Sequence, residues 1–215
     1  MTKLGSALTD SIKSEASTNL LVTVGDAGLD AAISSGALDG VPVFGIATGL
    51  WRAGKAVQQE LFIRKVLRFL GEASKSTPED RIRFVESLEE KGKKEEFGET
   101  ILLILERADD ATKPALIGRV MAAHVRGEID YPHAMRLAAI VSRCYITDLE
   151  FLKTFKPGTQ REMTPIADSL FSAGLLAQTG IDGGTFDDPL SGGTLYDLNE
   201  YGHLLLKYAL NLPDS

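Results

Sequence analysis

The sequence predicts a mainly α fold, a multi-helix bundle that carries a small β-hairpin near its C-terminus. Nothing between Pro42 and Phe155 alternates with a period of two, whereas apolar residues recur there at three- and four-residue spacing. Helix-start signals recur as well: Thr77-Pro78-Glu79-Asp80, Asp109-Asp110 with Pro114, Asp130 and Thr147. Past Pro157-Gly158 the composition shifts, and two short apolar runs flank a loop of Gly, Asp, Thr and Pro. A helical domain over residues 1–156 and a C-terminal element over 157–215 follow from that shift.

Residues 19–38 are small and apolar, with Asp26 and Asp30 as their charges, and predict one buried helix or two half-helices. Asp39-Gly40 marks a turn, and Pro42 stands where a first-turn proline belongs, since the N–H it lacks would be unpaired there. From Val43 a helical pattern runs to about Leu70, with Leu50, Gly54, Val57 and Leu61 in one stripe. Gly71 is the next stop. The helix capped by Thr77 runs through Phe84, Val85 and Leu88 to Lys91-Gly92. The one after it, about 95–108, has a core at Ile101 to Leu105 that is apolar on nearly every side, which predicts a central position. Asp109-Asp110 caps the next helix and Gly127 ends it. Asp130 opens a segment with Met135, Ala138, Val141 and Tyr145, and Thr147 opens a short one with Leu149, Leu152 and Phe155. A helix through Ile166, Leu170 and Phe171 stops at Gly174. Strands are expected at 175–179 and 194–198, and Asn199 caps a final helix with Leu204, Leu205, Leu206 and Tyr208.

At 215 residues, 44% hydrophobic and 25% charged, the chain is globular, and its net charge of -7 works against a dominant attraction to phosphate backbones. The single cysteine, Cys144, excludes an internal disulfide framework and lies in an apolar helical run, where a small buried hydrophobe is expected. The first residues, MTKLGSALTDSIKSEAS, lack the apolar run of a signal peptide, and no window has the length of a spanning helix. A cytoplasmic location is the expectation.

The order helix, strand, long loop, strand, helix, with Ser172-Ala-Gly-Leu-Leu176 and Leu195-Tyr-Asp-Leu-Asn-Glu-Tyr-Gly202 around the loop, resembles the second half of a winged helix. That resemblance implies DNA binding, and the charges oppose it. From Gly158 to Ser215 two basic residues, Arg161 and Lys207, stand against eight acidic ones, a net -6. The helix at the recognition position, Met163 to Phe171, has no Arg or Lys for bases or backbone. A packing or protein-contact element is the better expectation, and DNA is not an expected partner.

Arg52, Lys55, Arg64, Lys65 and Arg68 form a basic cluster that follows an apolar stretch ending at Trp51. On a membrane-surface helix these cations would meet anionic head groups with Trp51 at the interface, which would make peripheral membrane contact a role for the 41–70 segment. Gly45 and Gly49 have the small-xxx-small spacing that lets two helices approach closely. The plainer expectation is a core or subunit contact with the charges as a solvated face, and Glu60 within the cluster favours it.

Arg119-Val-Met-Ala-Ala-His124 has the Arg-x4-His spacing of the HEPN ribonucleases. The resemblance implies an Arg and a His meeting across a dimer to act on an RNA phosphodiester. Val120 stands where that family usually has a polar residue, and the plainer expectation is a partly buried histidine. His124, His133, His203 and Cys144 show no paired zinc spacing. No phosphate loop or nucleophile elbow appears, so neither metal nor cofactor is implied.

Gly40-Val-Pro-Val-Phe-Gly45 and Leu61-Phe-Ile-Arg-Lys-Val-Leu-Arg-Phe-Leu70 resemble a family of bacterial helical proteins without assigned activity. The likeness continues through Gly98 to Arg107, Asp148 to Leu152 and Tyr201 to Lys207. That family is loosely similar to abortive-infection alpha-type proteins of mobile elements. The resemblance implies a setting in phage or mobile-element conflict and brings no catalytic residues. The leading expectation is a non-enzymatic helical interaction protein, with a protein partner or a second copy of itself as occupant of its surfaces.

Overall fold

The computed structural model describes residues 4–18, 31–32, 36, 38–45, 57–159, 164–185, 187 and 192–210. The body is α1 (Leu4–Lys13), α2 (Val57–Ala73), α3 (Pro78–Glu90), α4 (Lys94–Arg107), α5 (Lys113–Val125), α6 (Tyr131–Arg143) and α7 (Ile146–Phe151). After it come β1 (Gly158–Thr159), α8 (Thr164–Ser172), β2 (Leu176–Asp182), β3 (Gly193–Leu198) and α9 (Glu200–Leu205), which runs on as a π-helical turn, Leu206–Leu210. The fold is mainly α with a small antiparallel hairpin near its C-terminus.

The caps explain the boundaries. Thr77 accepts a hydrogen bond from the Asp80 N–H, Asp130 from that of His133 and Asn199 from that of Gly202, so each satisfies an orphan donor of a first turn. Gly127 takes φ 75° and closes α5, with the Glu128 N–H donating to the Ala123 carbonyl. Asp110 accepts from the Thr112 N–H one residue before α5 begins, so it forms a turn ahead of the helix and does not cap it directly.

α5 packs between α2 and α6, and α1 lies along α4. Backbones come close at both main crossings. A Cβ on Gly118 of α5 would stand 2.5 Å from the Phe69 carbonyl oxygen and 2.8 Å from the Glu72 Cβ. The buried residues form one apolar cluster from Ala7 to Leu210.

Four expectations are corrected. α2 passes Gly71 and ends at Ala73, and its buried stripe is Ile63, Val66, Leu67, Leu70 and Ala73. Leu61 lies three, four and seven residues from Arg64, Lys65 and Arg68, so it shares their outer face and is 54% exposed. Leu103 is 53% exposed, so α4 has a solvent side despite its apolar run. Tyr145 is 65% exposed because α6 ends at Arg143, before the chain would turn that ring inward.

The hairpin pairs β2 with β3 antiparallel, with a bulge between Gln178 and Gly180, and β1 adds to the far side of β3. Two residues are too few to show an alternation, so β1 has no sequence signal.

Candidate functional site

The described residues form a cleft of about 480 Å³ where α3, the start of α4 and the end of α5 meet. α3 contributes the stripe Asp80, Arg83, Phe84, Ser87, Leu88 and Lys91, whose three- and four-residue steps put them on one face. Lys93, Glu96 and Phe97 come from the first turn of α4 and its approach, and His124 to Gly127 from the last turn of α5. Tyr131, the first residue of α6, closes the wall.

Four rings make the floor. Phe84 meets Phe97 at 5.2 Å and 78°, and meets His124 at 5.4 Å and 83°. Tyr131 stands 6.4 Å from Phe97 and 5.8 Å from His124, which completes a circuit. Edge-to-face contacts of this kind add about 0.5–1.5 kcal/mol each beyond area burial. Phe84 and Phe97 are buried, while Tyr131 is 41% exposed and open to a ligand. The His124 Nδ1 donates to the Ile129 carbonyl at 2.9 Å, which fixes the orientation of the ring. Burial, then the Glu96 carboxylate, holds the Tyr131 phenol above its ordinary value, so it stays neutral.

The rim is charged but mostly self-paired. Arg83 meets Asp80 at 3.0 Å and Lys93 meets Glu96 at 2.6 Å. Arg126 forks onto Glu128 with two bonds of 2.9 Å, and that hydrogen bonding lowers the Glu128 carboxyl. An apolar, aromatic floor under a paired polar rim is the make-up of a binding site. It lacks a nucleophile with a positioned base, and among the described residues no three His, Cys, Asp or Glu side chains could hold a metal.

Arg119 and His124 share α5 but diverge, since five residues turn a helix by about 140°. The Arg119 guanidinium is largely buried, 3.3 Å from Glu72 and 3.0 Å from the Ala209 carbonyl, to which it donates. It joins α2, α5 and the C-terminal turn. His124 alone reaches the cleft.

The basic residues of α2 are likewise engaged. Arg64 pairs with Glu60 at 2.6 Å. Lys65 donates to the Glu106 carbonyl at 3.0 Å and Arg68 to that of Ala111, so both cations sit at the negative end of α4 and the loop after it. Gly45 is exposed, and among the described residues a Cβ there would meet nothing within 4 Å, so the close crossings among those residues are elsewhere. Gly49, Trp51, Arg52 and Lys55 lie outside the described residues.

Sequence reasoning placed Phe84 in a core and named His124 for another reason, and it did not single out Phe97 or Tyr131. No sequence pattern marks the circuit, because its members come from four separate helices. Compared with protein-family profiles, curated proteins and solved structures, the chain has no match. Among the described residues no helix is long and apolar enough to cross a membrane.

Proposed function

We propose that this chain is a non-enzymatic helical interaction protein of the cytoplasm, whose aromatic-floored cleft takes an apolar side chain of a protein partner. The observation that carries this is the circuit of Phe84, Phe97, His124 and Tyr131, which is open to solvent on its Tyr131 side. Aromatic anchors of this kind supply much of the affinity in interfaces. The acidic C-terminal element offers a second contact surface, in keeping with its shortage of Lys and Arg. The setting in phage or mobile-element conflict rests on the resemblance of residues 40–207.

Two other readings have less support. A ribonuclease needs Arg119 near His124, and Arg119 is committed to Glu72 and Ala209. A membrane-surface role needs free cations on α2, and Arg64, Lys65 and Arg68 each have a partner.

The test is recovery of tagged protein from its native cells, with bound proteins identified for three forms. Ser87→Trp fills the cleft, and Tyr145→Ala alters an exposed ring at the other end of α6, roughly 18 Å away along the helix. A partner lost with Ser87→Trp and kept with Tyr145→Ala is the expected result. A partner set unchanged by Ser87→Trp refutes the cleft as the contact.

A further inference from the structure

We propose that the outer edge of β2 takes up an extended, Lys- and Arg-rich segment of a protein partner as an added strand. It rests on the reading of the C-terminal element as a protein-contact surface, and the aromatic cleft has no part in it. The sheet order β1-β3-β2 leaves β2 outermost, and among the described residues β3 is its one strand neighbour. An edge strand carries a row of N–H and C=O groups that point away from its neighbour and can pair with another chain. The start of β2 is closed, since Leu176 is buried and its carbonyl accepts from the Asn199 side chain at 3.1 Å. Beyond it, Gln178, Thr179 and Ile181 are exposed, and Ile181, at 75%, is the most exposed large hydrophobic residue among the described ones. Edges of this kind are commonly guarded by Lys or Pro, whereas β2 has neither and carries a bulge between Gln178 and Gly180. The free length is therefore residues 178–182.

Charge selects the occupant. Residues 176–198 hold four carboxylates, Asp182, Asp187, Asp188 and Asp197, and no Lys, Arg or His, a net -4. The chain's -7 less the -6 of residues 158–215 leaves only -1 on the rest, so the edge lies in the acidic end of the molecule. The cations that come near are occupied elsewhere: Arg136 lies beside Gly174, before the strand begins, and stacks on Tyr201, while Lys207 stacks on Tyr208. Opposite charges across a strand pair stabilise it and like charges oppose it. A second copy joined β2 to β2 would set -4 against -4. A basic strand satisfies the carboxylates, and apolar residues alternating with its cations would cover Ile181. Backbone bonds then supply affinity and the alternate side chains specificity.

The test is titration of the purified chain into the fluorescein-labelled, amidated peptide Lys-Val-Arg-Val-Lys-Val-Arg, followed by anisotropy at low salt. Saturable binding is expected. Glu at the four cationic positions weakens it at least about tenfold. N-methylation of one of the two sets of alternate amides keeps the charge, removes backbone donors and also costs about tenfold or more. Ile181→Ser, at an exposed position that folding tolerates, weakens binding at least about threefold, and Ser87→Trp leaves it unchanged. With the peptide bound, amides among residues 178–182 gain protection from hydrogen exchange. Absence of binding overturns the proposal, as does equal binding of both N-methylated peptides, which would reduce the attraction to charge alone. Protection that appears elsewhere and spares residues 178–182 overturns it too. Binding lost with Ser87→Trp would put the peptide in the cleft, which sinks the strand and leaves the cleft standing.

Discussion

A Cβ placed on Gly98 would stand 1.9 Å from the carbonyl oxygen of Gly5, so α1 and α4 cross backbone to backbone. The contact is reciprocal, since a Cβ on Gly5 would stand 2.5 Å from the Glu95 carbonyl oxygen. Around it, Thr9 donates to the Lys94 carbonyl at 3.0 Å and the Ser6 N–H to Glu95 at 2.9 Å. These bonds fix α1 on α4 at a separation that no side chain larger than hydrogen permits.

Gly98→Ala therefore destabilises the fold even though alanine is the better helix former. Forcing the two helices apart costs about 1–3 kcal/mol or more, which outweighs the roughly 1 kcal/mol of propensity gained. Gly45→Ala is the control, since a Cβ there meets nothing within 4 Å among the described residues. Chemical denaturation followed by circular dichroism should give a lower midpoint for Gly98→Ala and an unchanged or slightly higher one for Gly45→Ala. Equal stability of Gly98→Ala and the parent would disprove the close crossing.

Arg119→Met should behave as a stability variant. Among the described residues it leaves buried Glu72 with Lys75 alone as counter-ion, and it strips the Ala209 carbonyl of a donor. Breaking a buried pair in this way costs about 3 kcal/mol. His124→Ala removes one hydrogen bond and two ring contacts, and should cost less. Purified protein incubated with RNA tests the alternative role. Cleavage by the parent that both variants lose while still folded would restore the ribonuclease reading.

Sequence legibility followed the range of the forces involved. Caps and stops such as Thr77, Asp130, Gly127 and Asn199 act within four residues, and the helices they bound are where their signals put them. Faces were harder to read. Leu61 belongs to the outer side of α2 because Ile63, Val66 and Leu67 have a partner helix in α5, a long-range fact that local spacing does not encode. The Gly45–Gly49 spacing drew attention to glycine crossings, whereas the tight helix crossings fall at Gly5, Gly98 and Gly118; Gly118 and Ala122 share that spacing, but sequence reasoning did not single them out. The cleft was illegible for the same reason: its rings lie up to 47 positions apart, between Phe84 and Tyr131.

Cys144 should resist alkylation in the folded protein. It is 7% exposed, and burial pushes its thiol up to about 11 from an ordinary 9.0. Near pH 8 that leaves about a hundredfold fewer thiolates than an exposed cysteine has, and the thiolate is the reactive form. Iodoacetamide labelling followed by mass spectrometry should be slow in buffer and fast in denaturant. Labelling at the rate of a free thiol in the folded state would show that the residue is accessible.

His133 ties α6 to α9, with Nδ1 2.6 Å from Asp130 and Nε2 3.3 Å from Glu200. The Asp130 hydrogen bond chiefly, and then Glu200, raises its pKa above the ordinary 6.5. Arg136, one turn along, stacks on the Tyr201 ring at 4.9 Å and joins the same two helices. A raised pKa means that the fold prefers the imidazolium. That contribution is therefore full below about pH 6.5, the unfolded value, and is lost as pH rises through the higher folded value. Asp130 works in the opposite sense. The His133 N–H and ring hold its carboxyl below 3.8, so its contribution is present above that pH and fades as pH falls through the lower folded value. The tie is strongest between about pH 4 and 6.5. An NMR titration of the His133 ring should give a midpoint above 6.5, lowered by Glu200→Gln and lowered further by Asp130→Asn. The Tyr201 and Gly202 amides, in the first turn of α9, should lose protection from exchange between pH 6 and 8, after correction for the intrinsic rate. A midpoint at or below 6.5 in the parent protein would mean that neither carboxylate holds the ring.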